Sequence, residues 1–475
     1  RLRQMIVLVL CLIVVLLAEQ PWHAAGWDAA SWDEKQCFDD AIPKEDRVNI
    51  HYKGEGTPVR ILFLDWTLAR VNRELAIILI EEQIGFNVER NITALAGCCS
   101  WTGVRATVPG CVPVGAKTQA CDSQIEGHPY AHMAFELFPN YIPEGFRTYV
   151  QNIGLDDQST PFFDNIGYAG EEALCVRPDV YAHVWNVSGN DLSYFRFYDA
   201  TWFNVSHFFS TTAEVNAIVG RSPMACNMSS KKLSNFQGEQ MSLYLQLTGD
   251  ADGIVKQVVF EHEVFVADCR DGWWRAPSCR AKPESCIPVV TMDSWLVHVM
   301  MQWAAFYNMP FAIGTYDKEE MTTVNHKIIR EARVLFYETM HLPQYSGLSG
   351  IPTKIVFPPA DVTAVRKGVF RTAVESNTLK KICWRNLREA NKRVATFFEK
   401  YSISQMEIGL IGLRALALSQ DGKTGDRKAA CEWLRSTKRW QEWMPPPAVI
   451  CAPGTALSIG NTCSPCPKGT YNPEN

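Results

Sequence analysis

Residues 59–89 read VRILFLDWTLARVNRELAIILIEEQIGFNVE. The apolar run at 59–64 is typical of a short buried strand, and residues 86–89 begin a second one. Between them, residues 72–83 have the apolar spacing of a helix, which ends near Gly85. A strand, a helix and a strand within about 30 residues form a βαβ unit, whose two strands are parallel. This stretch therefore predicts an α/β fold.

Strand and helix patterns continue along the chain as far as three consecutive prolines. Strands are predicted at 130–137, 173–177, 240–267 and 311–314, and helices at 295–307, 378–401, 404–419 and 427–443. The prolines at 445–447 end the last helix and mark a linker. We predict one large α/β region over 58–445, followed at 446–475 by a short disulfide-rich C-terminal module.

The N-terminal residues have the order of features found in a secretory signal peptide. Arg1 and Arg3 precede an apolar run at 5–18, and small residues follow at 24–26. We therefore predict a signal peptide over 1–25.

A signal peptide implies that the protein is secreted or lies on the extracellular face of a membrane. Residues 26–57 are polar and dotted with tryptophan, and we expect an N-terminal extension there. No later apolar run is long enough to span a bilayer, so any membrane-embedded transporter, channel or receptor region is expected beyond Asn475. Asn-X-Ser/Thr motifs predict surface glycosylation at Asn91, Asn186, Asn204 and Asn227.

Cysteine usage agrees with this oxidising compartment. The chain has 16 cysteines, several of them in loop-like stretches that contain proline and glycine. We expect the adjacent pair 98–99 to supply a disulfide to Cys111 or Cys121, and two of the cysteines at 269–286 to pair together. The disulfide candidates are Cys98, Cys99, Cys111, Cys121, Cys269, Cys279, Cys286, Cys451, Cys463 and Cys466.

Composition and motifs favour binding over catalysis. The formal net charge is −5, which gives no electrostatic reason to expect nucleic acid as a partner. The sequence has no zinc-protease, serine-hydrolase, phosphate-loop or dinucleotide-binding motif, so we expect neither an enzyme nor a cofactor. His128 and His132 have the i, i+4 spacing of a helical metal site, but they lie in loop and strand patterns, which favours a structural role and no metal.

Aromatic residues follow several of the predicted strands. Trp66, Phe138 and Tyr316 each stand at a strand end, where ligands bind in open α/β sheets. The adjacent pair Trp273 and Trp274 lies in a loop rich in glycine and cysteine. Ring faces of this kind hold a quaternary ammonium ion, which cannot donate a hydrogen bond, although any single ring is more often part of a core. The nearby carboxylates that can add Coulombic attraction are Asp65 and Glu136.

The order of these segments resembles a known family. The opening βαβ is followed by HMAFELFPNY at 132–141, GYAGEEALCVRPDVY at 167–181, NMPFAIGTYDK at 308–318 and ACEWLRSTKRWQEWMP at 430–445. In this order they resemble the substrate-binding proteins of ABC-type glycine betaine/choline transporters. The tail from Cys451 is similar to the Cys-rich repeats of eukaryotic surface receptors.

The resemblance implies a two-lobed, periplasmic-binding-protein-like fold with a hinge. Lobe I would comprise about 58–170 and 317–445, and lobe II about 175–315. Phe138 and Tyr316 stand where the family commonly has cage tryptophans, while Trp66 and Trp273 or Trp274 would supply further walls.

Two functions from different classes are consistent with the sequence. The first is extracellular binding of a small organic cation such as glycine betaine or choline by lobe closure, for transport or sensing. The second is a surface structural or adhesion module of a larger receptor, which keeps the fold without the ligand.

Overall fold

The computed structural model describes most of the chain from Gln36 onward. The described residues are 36–64, 66–90, 92, 100–111, 121–122, 125–137, 161–170, 172–226, 238–259, 262–291, 297–316, 321–339, 352–374, 377–419, 425–446, 455–458 and 462–465. The predicted signal peptide lies outside them, as do Asp65, Asn91, Cys98, Cys99, Phe138, Asn227, Cys451 and Cys466.

The strands are short and spread over the whole described chain. They are β1 (Ile50–Tyr52), β2 (Glu55–Thr57), β3 (Val59–Arg60), β4 (Val88–Glu89), β5 (Met133–Leu137), β6 (Phe162–Gly170), β7 (Glu172–Val176), β8 (Ile254–Val259), β9 (His262–Ala267), β10 (Cys269–Arg270), β11 (Trp273–Arg275), β12 (Ile287–Thr291), β13 (Phe311–Thr315), β14 (Leu335–Thr339), β15 (Thr353–Lys354), β16 (Asn377–Cys383), β17 (Thr455–Ser458) and β18 (Thr462–Pro465).

The helices alternate with these strands. They are α1 (Thr67–Leu79), α2 (Ser100–Ala106), α3 (Pro178–Ser188), α4 (Thr212–Val219), α5 (Glu239–Thr248), α6 (Val297–Phe306), α7 (Met321–Glu331), α8 (Val362–Arg366), α9 (Leu387–Ala390), α10 (Lys392–Lys400), α11 (Gln405–Leu418) and α12 (Gly425–Ser436). A π-helical turn, Ile80–Ile84, extends α1 and ends at Gly85, whose φ of +91° suits glycine.

The first lobe is built on a mixed sheet. Strands β5, β16 and β6 form its antiparallel part, with β16 in the centre. A parallel bridge from Ile61 to Met133 links β5 to β3, which pairs in parallel with β4. The opening βαβ unit is thus confirmed. Helix α1 buries most of its side chains against β5, α11 and α12, because its apolar residues surround the helix on more than one side.

The second lobe contains a seven-stranded sheet in the order β10-β11-β13-β12-β14-β7-β15. Strand β12 is parallel to both β13 and β14, and the remaining neighbours are antiparallel. The side chains of β12 and β13 are entirely buried, as expected for parallel strands covered on both faces. One hydrophobic core runs from Ala173 to Phe370, and separate cores serve the first lobe.

The chain crosses between the lobes twice. Strand β6 ends at Gly170 in the first sheet, and β7 begins at Glu172 in the second. The return brings β16 back beside β6, with Asn377 in register with Gly170. The sequence resemblance implied a return near residue 317. The structure places it near residue 377, because β14 still pairs with β12 and β7 in the second sheet.

The predicted N-terminal extension also differs from the structure. Its described residues include the β1–β2 hairpin, and Ile50 and Tyr52 are buried in a core of the first lobe. A disulfide from Cys37 to Cys431 ties this segment to α12 across 394 residues of sequence. Residues 36–57 are therefore part of the first lobe.

The other disulfides confirm one predicted pairing and overturn another. Cys279 pairs with Cys286, as expected from their short separation. The prediction that Cys98 or Cys99 bonds to Cys111 or Cys121 is wrong, because Cys111 and Cys121 bond to each other. Cys269, in β10, pairs with a cysteine that was not a candidate, Cys226.

Within the described residues, no helix has both the length and the apolar character needed to cross a bilayer.

Candidate functional site

Trp66 and Glu136 lie together in the first lobe, at the start of α1 and near the end of β5. Trp66 precedes the first residue of α1 and is half-buried. Glu136 is next to last in β5 and is completely buried. Its φ of +64° is in the left-handed region, which is uncommon for a residue other than glycine. The β5–β16 register shifts between Lys380 and Ile382, so this backbone conformation belongs to an irregularity in the sheet.

A buried hydrogen-bond network holds the groups around this carboxyl. The Tyr401 hydroxyl donates to Asn72 Oδ1 at 2.6 Å. Asn72 Nδ2 donates to the Tyr168 hydroxyl at 2.9 Å and to the Leu68 carbonyl at 2.8 Å. We call Trp66, Asn72, Glu136, Tyr168 and Tyr401 the lobe I cluster. All of its members except Trp66 are buried, so Trp66 is the member that reaches toward solvent.

Burial dominates the electrostatics of the cluster. Removal from water raises the pKa of Glu136 from its ordinary value of 4.5 to about 8, although hydrogen bonds from Tyr168, Trp66 and Asn72 act to lower it. Burial likewise raises the pKa of Tyr168 well above its usual range, and the nearby Glu136 carboxyl adds to the effect. Glu136 is therefore mostly protonated at neutral pH and would gain a charge if a cation came close.

This arrangement can recognise a compact cation. A carboxyl beside an indole and a phenol offers negative charge and ring faces together, and both attract an ammonium group that carries methyl substituents. A shielded site strengthens such attractions, because little water screens them. Strain at the Glu136 backbone is typical of residues whose position serves a function.

The structure does not bring Trp273 and Trp274 to this cluster. Both lie in β11 inside the second-lobe sheet, and both are completely buried. The Trp273 indole donates to Asn216 Oδ1 at 3.1 Å, and the Trp274 indole donates to the Gly253 carbonyl at 3.2 Å. Their N–H groups are satisfied and their faces are packed in a core, which differs from the predicted role as ligand walls.

Tyr316 directly follows β13 at the carboxyl end of the parallel strands, as predicted, but it is 1% exposed. The Arg221 guanidinium lies 5.7 Å from its ring centre. Among the described residues, neither the Tyr316 hydroxyl nor Thr315 Oγ1 has a hydrogen-bond partner. A buried polar group without a partner is costly, so this strand end has two groups that a ligand or water could satisfy.

Sequence reasoning missed Asn72, Tyr168 and Tyr401. Asn72 had a detectable signal, because it is a polar residue on the apolar surface of α1. Tyr168 and Tyr401 reach the cluster from β6 and from the end of α10, which are far apart in sequence. Only the folded sheet brings them together.

The His128–His132 pair has a structural explanation. His132 is buried, and its Nδ1 accepts from the Arg60 backbone N–H at 2.9 Å. Its Nε2 lies 3.1 Å from His128 Nδ1, and His128 Nε2 lies 3.1 Å from the Glu55 carbonyl oxygen. Burial, together with the neighbouring His128 and Arg60 charges, lowers the pKa of His132 well below its usual range. No group of three metal-ligating side chains occurs in the part of the chain that the structure describes.

The sequence matches no protein-family model and no curated protein sequence. Solved structures do resemble the fold. A lactococcal OpuAC in a closed conformation with glycine betaine is 11% identical, with a TM-score of 0.38, over 82% of this chain and 99% of that chain. The similar structures are substrate-binding proteins of glycine betaine and choline transporters.

Two further structures give the same result. The glycine betaine/L-proline-binding protein ProX from Borrelia burgdorferi is 10% identical, with a TM-score of 0.39, over 82% of this chain and 97% of that chain. An ABC-transporter choline-binding protein in complex with choline is 10% identical, with a TM-score of 0.38, over 81% and 90% of the two chains. Because these TM-scores are low, the two-lobed assignment rests on the sheets, crossings and cores of the chain itself.

Proposed function

We propose that this protein binds a small organic cation, such as glycine betaine or choline, outside the cell, and that its two lobes close on the ligand. The cation would sit against the lobe I cluster, with the Trp66 face and the Glu136 carboxyl as its main contacts. The motif resemblance over 58–445 supplies the choice of these two ligands. Phe138 and Asp65 remain proposed contacts on sequence grounds.

The observation that carries this proposal is the buried Glu136 carboxyl beside Trp66, Tyr168 and Asn72. Burial of a carboxyl lowers the stability of the folded protein. A methyl-bearing cation bound beside the carboxyl would offset this loss, and the offset would contribute to the binding free energy. Tyr316 would contribute from the second lobe, where its hydroxyl and that of Thr315 lack partners among the described residues.

Closure requires the two lobes to move as units. The first crossing follows Gly170 and the second precedes Asn377, and these two residues are paired neighbours in the first sheet. Two neighbouring connections between lobes can act as a hinge while each lobe keeps its own core. Closure around a bound cation would exclude water and strengthen each contact with the rings and the carboxyl.

One observation favours the alternative, a surface structural or adhesion module without a ligand. Trp273 and Trp274 are completely buried in the second-lobe core and cannot form ligand walls as placed. If Tyr316 is likewise only a core residue, the second lobe supplies no ring to a cage. The protein would then keep the fold as a rigid spacer.

Isothermal titration calorimetry with glycine betaine and choline distinguishes these two functions. Replacing Trp66 with Ala should weaken binding by about tenfold, because one cation–π contact in a shielded site contributes about 1–2 kcal/mol. The matched control is Trp185→Ala, which removes an indole that is 50% exposed on α3 of the other lobe.

The control variant should bind as the unmodified protein does. The absence of binding by the unmodified protein at millimolar concentration of either ligand would favour the module without a ligand. Equal affinity of the Trp66→Ala variant and the unmodified protein would place any binding site elsewhere.

A further inference from the structure

Trp202 is the most exposed large apolar side chain in the described part of the chain, at 83%. The turn around it explains how it is held there. The backbone N–H groups of Trp202 and Phe203 both donate to the Asp199 carbonyl, at 3.1 and 3.4 Å. Phe203 then packs inward, with its ring 6.3 Å from that of Phe208, and the neighbouring indole is left in solvent. An indole this exposed presents free ring faces on which the apolar face of another group can pack.

A glycosylation motif begins two residues after this indole. Asn204 is exposed, and its Oδ1 accepts from the Ser206 backbone N–H at 3.1 Å and from the Ser206 hydroxyl at 2.6 Å. Val205 between them is completely buried and anchors the turn. Because the amide oxygen of Asn204 accepts these bonds from Ser206, the amide nitrogen points away from Ser206. The motif is thus rigid and lies at the surface.

The motif at Asn186 provides a contrast within the same lobe. Asn186 lies inside α3, and the Ser188 hydroxyl donates to the Val184 carbonyl at 2.8 Å instead of to the asparagine. The exposed Trp185 directly precedes the asparagine. Adjacent residues of a helix point in different directions, so Trp185 does not share a helix face with Asn186.

We propose that Asn204 carries an N-linked sugar and that the first sugar ring packs its C–H face on the Trp202 indole. A pyranose has an apolar face of C–H groups, and an aromatic ring two residues away in a tight turn offers a matching surface. The sugar would explain why an indole stays in solvent, and it would cover this part of the second lobe. The proposal rests on the extracellular location in the proposed function, but not on ligand binding.

The attachment is a group transfer from a lipid-linked sugar diphosphate. The Asn204 amide nitrogen forms a bond to the anomeric carbon of the sugar and loses one proton. The bond from that carbon to the diphosphate oxygen breaks, and the diphosphate leaves with the electron pair. The Ser206 hydroxyl, which is a required part of the motif, donates to the asparagine oxygen in the folded turn.

The test is hydroxyl-radical footprinting of the full chain, secreted from mammalian cells. The protein carries Asn186→Gln, which removes the other described glycosylation motif of this lobe. Peptide mass spectrometry reads both sugar occupancy at Asn204 and oxidation of Trp202. The protein is compared in three forms: fully glycosylated, trimmed to one sugar per site, and fully deglycosylated. Trp185 in the same samples is the internal control, because it is also exposed.

We expect Asn204 to be occupied, and Trp202 to be oxidised about threefold or more slowly in both sugar-bearing forms than in the deglycosylated form. Trp185 should react equally in all three forms. An unoccupied Asn204, or a Trp202 that reacts at the same rate with and without the sugar, would overturn the proposal. Cation titration of the same samples is an independent measurement, so a failure of the proposed ligand would be seen separately.

Discussion

At Glu136, burial and hydrogen bonding act in opposite directions on one carboxyl. Burial is the larger effect, and the pKa is raised from 4.5 to about 8. The unfolded chain therefore releases this proton at a lower pH than the folded protein does. As pH rises through the interval between these values, the unfolded state binds fewer protons than the folded state, and stability falls. Above about pH 8 the full cost of the buried charge is present.

Replacing Glu136 with Gln should remove this pH dependence, because the amide has nearly the same shape and does not titrate. Relative to the variant, the unmodified protein should lose roughly 1 kcal/mol of unfolding free energy per pH unit between about pH 5 and 8. Urea denaturation at several pH values measures this difference. The exposed Glu389→Gln is the control. If the unfolding free energies of the unmodified protein and the Glu136→Gln variant change in parallel with pH, Glu136 does not titrate as a buried carboxyl.

The neighbours around Glu136 could be predicted only in part from the sequence. Trp66 and Glu136 were both selected from strand-end patterns, and the structure places them together; their role in binding stays a prediction. Trp273 and Trp274 were predicted as ligand walls, yet they are core residues. Their loop-like surroundings, rich in glycine and cysteine, hide a two-residue hairpin turn between β10 and β11. Local sequence does not say whether a ring faces a core or a ligand.

At the scale of elements, Lys381 connects β16 to the end of α10. Its side chain is completely buried, and its Nζ donates to the carbonyl oxygens of Phe398, Glu399 and Tyr401 at 2.6, 2.9 and 2.5 Å. These are the carbonyls that a helix C-terminus leaves without partners, and a cation there also complements the helix dipole. Lys381 therefore caps the C-terminal end of α10. Because Tyr401 at this end bonds to Asn72, the Lys381 cap also positions the lobe I cluster.

Replacing Lys381 with Met should lower the unfolding free energy of the first lobe by about 2–3 kcal/mol, since it leaves several buried carbonyls without a donor. It should also weaken cation binding, because Tyr401 and Asn72 would lose their fixed positions. The neighbouring Lys380 is only half-buried, so Lys380→Met is the matched control and should change stability by less than about 0.5 kcal/mol. Equal urea midpoints for the two variants would contradict the role of the cap.

The same strand shows why some elements were predicted wrongly. Residues 378–401 read as one helix, but the first part is the central strand β16. A buried lysine and the register shift between Lys380 and Ile382 interrupt the alternation that would mark a strand. Conversely, strands were predicted over 240–267, but the first part of this range lies in a helix, Glu239–Thr248. Its leucine, tyrosine and methionine residues fit either structure, and only packing decides between them.

At the scale of the molecule, the residue patterns predicted an α/β fold, and the family resemblance implied two lobes but placed the return crossing too early. The pairing that decides the boundary joins Leu335 in β14 to Val176 in β7, which are far apart along the chain. The Cys37–Cys431 disulfide spans 394 residues and was also missed. Neither contact leaves a local pattern, so both could be found only in the folded chain.

Proton release on cation binding shows whether the ligand sits beside the Glu136 carboxyl. A cation close to Glu136 should lower the pKa of this carboxyl by about 1–3 units, so the acid that is mostly protonated at pH 7 must lose its proton when the ligand binds. Calorimetric titration with choline in two buffers of different ionisation enthalpy measures the number of protons released. We expect release of about 0.4 to 0.9 proton per site at pH 7, and none from the Glu136→Gln variant. Binding heats that are identical in the two buffers would contradict a cation site at Glu136, as would no binding at millimolar choline.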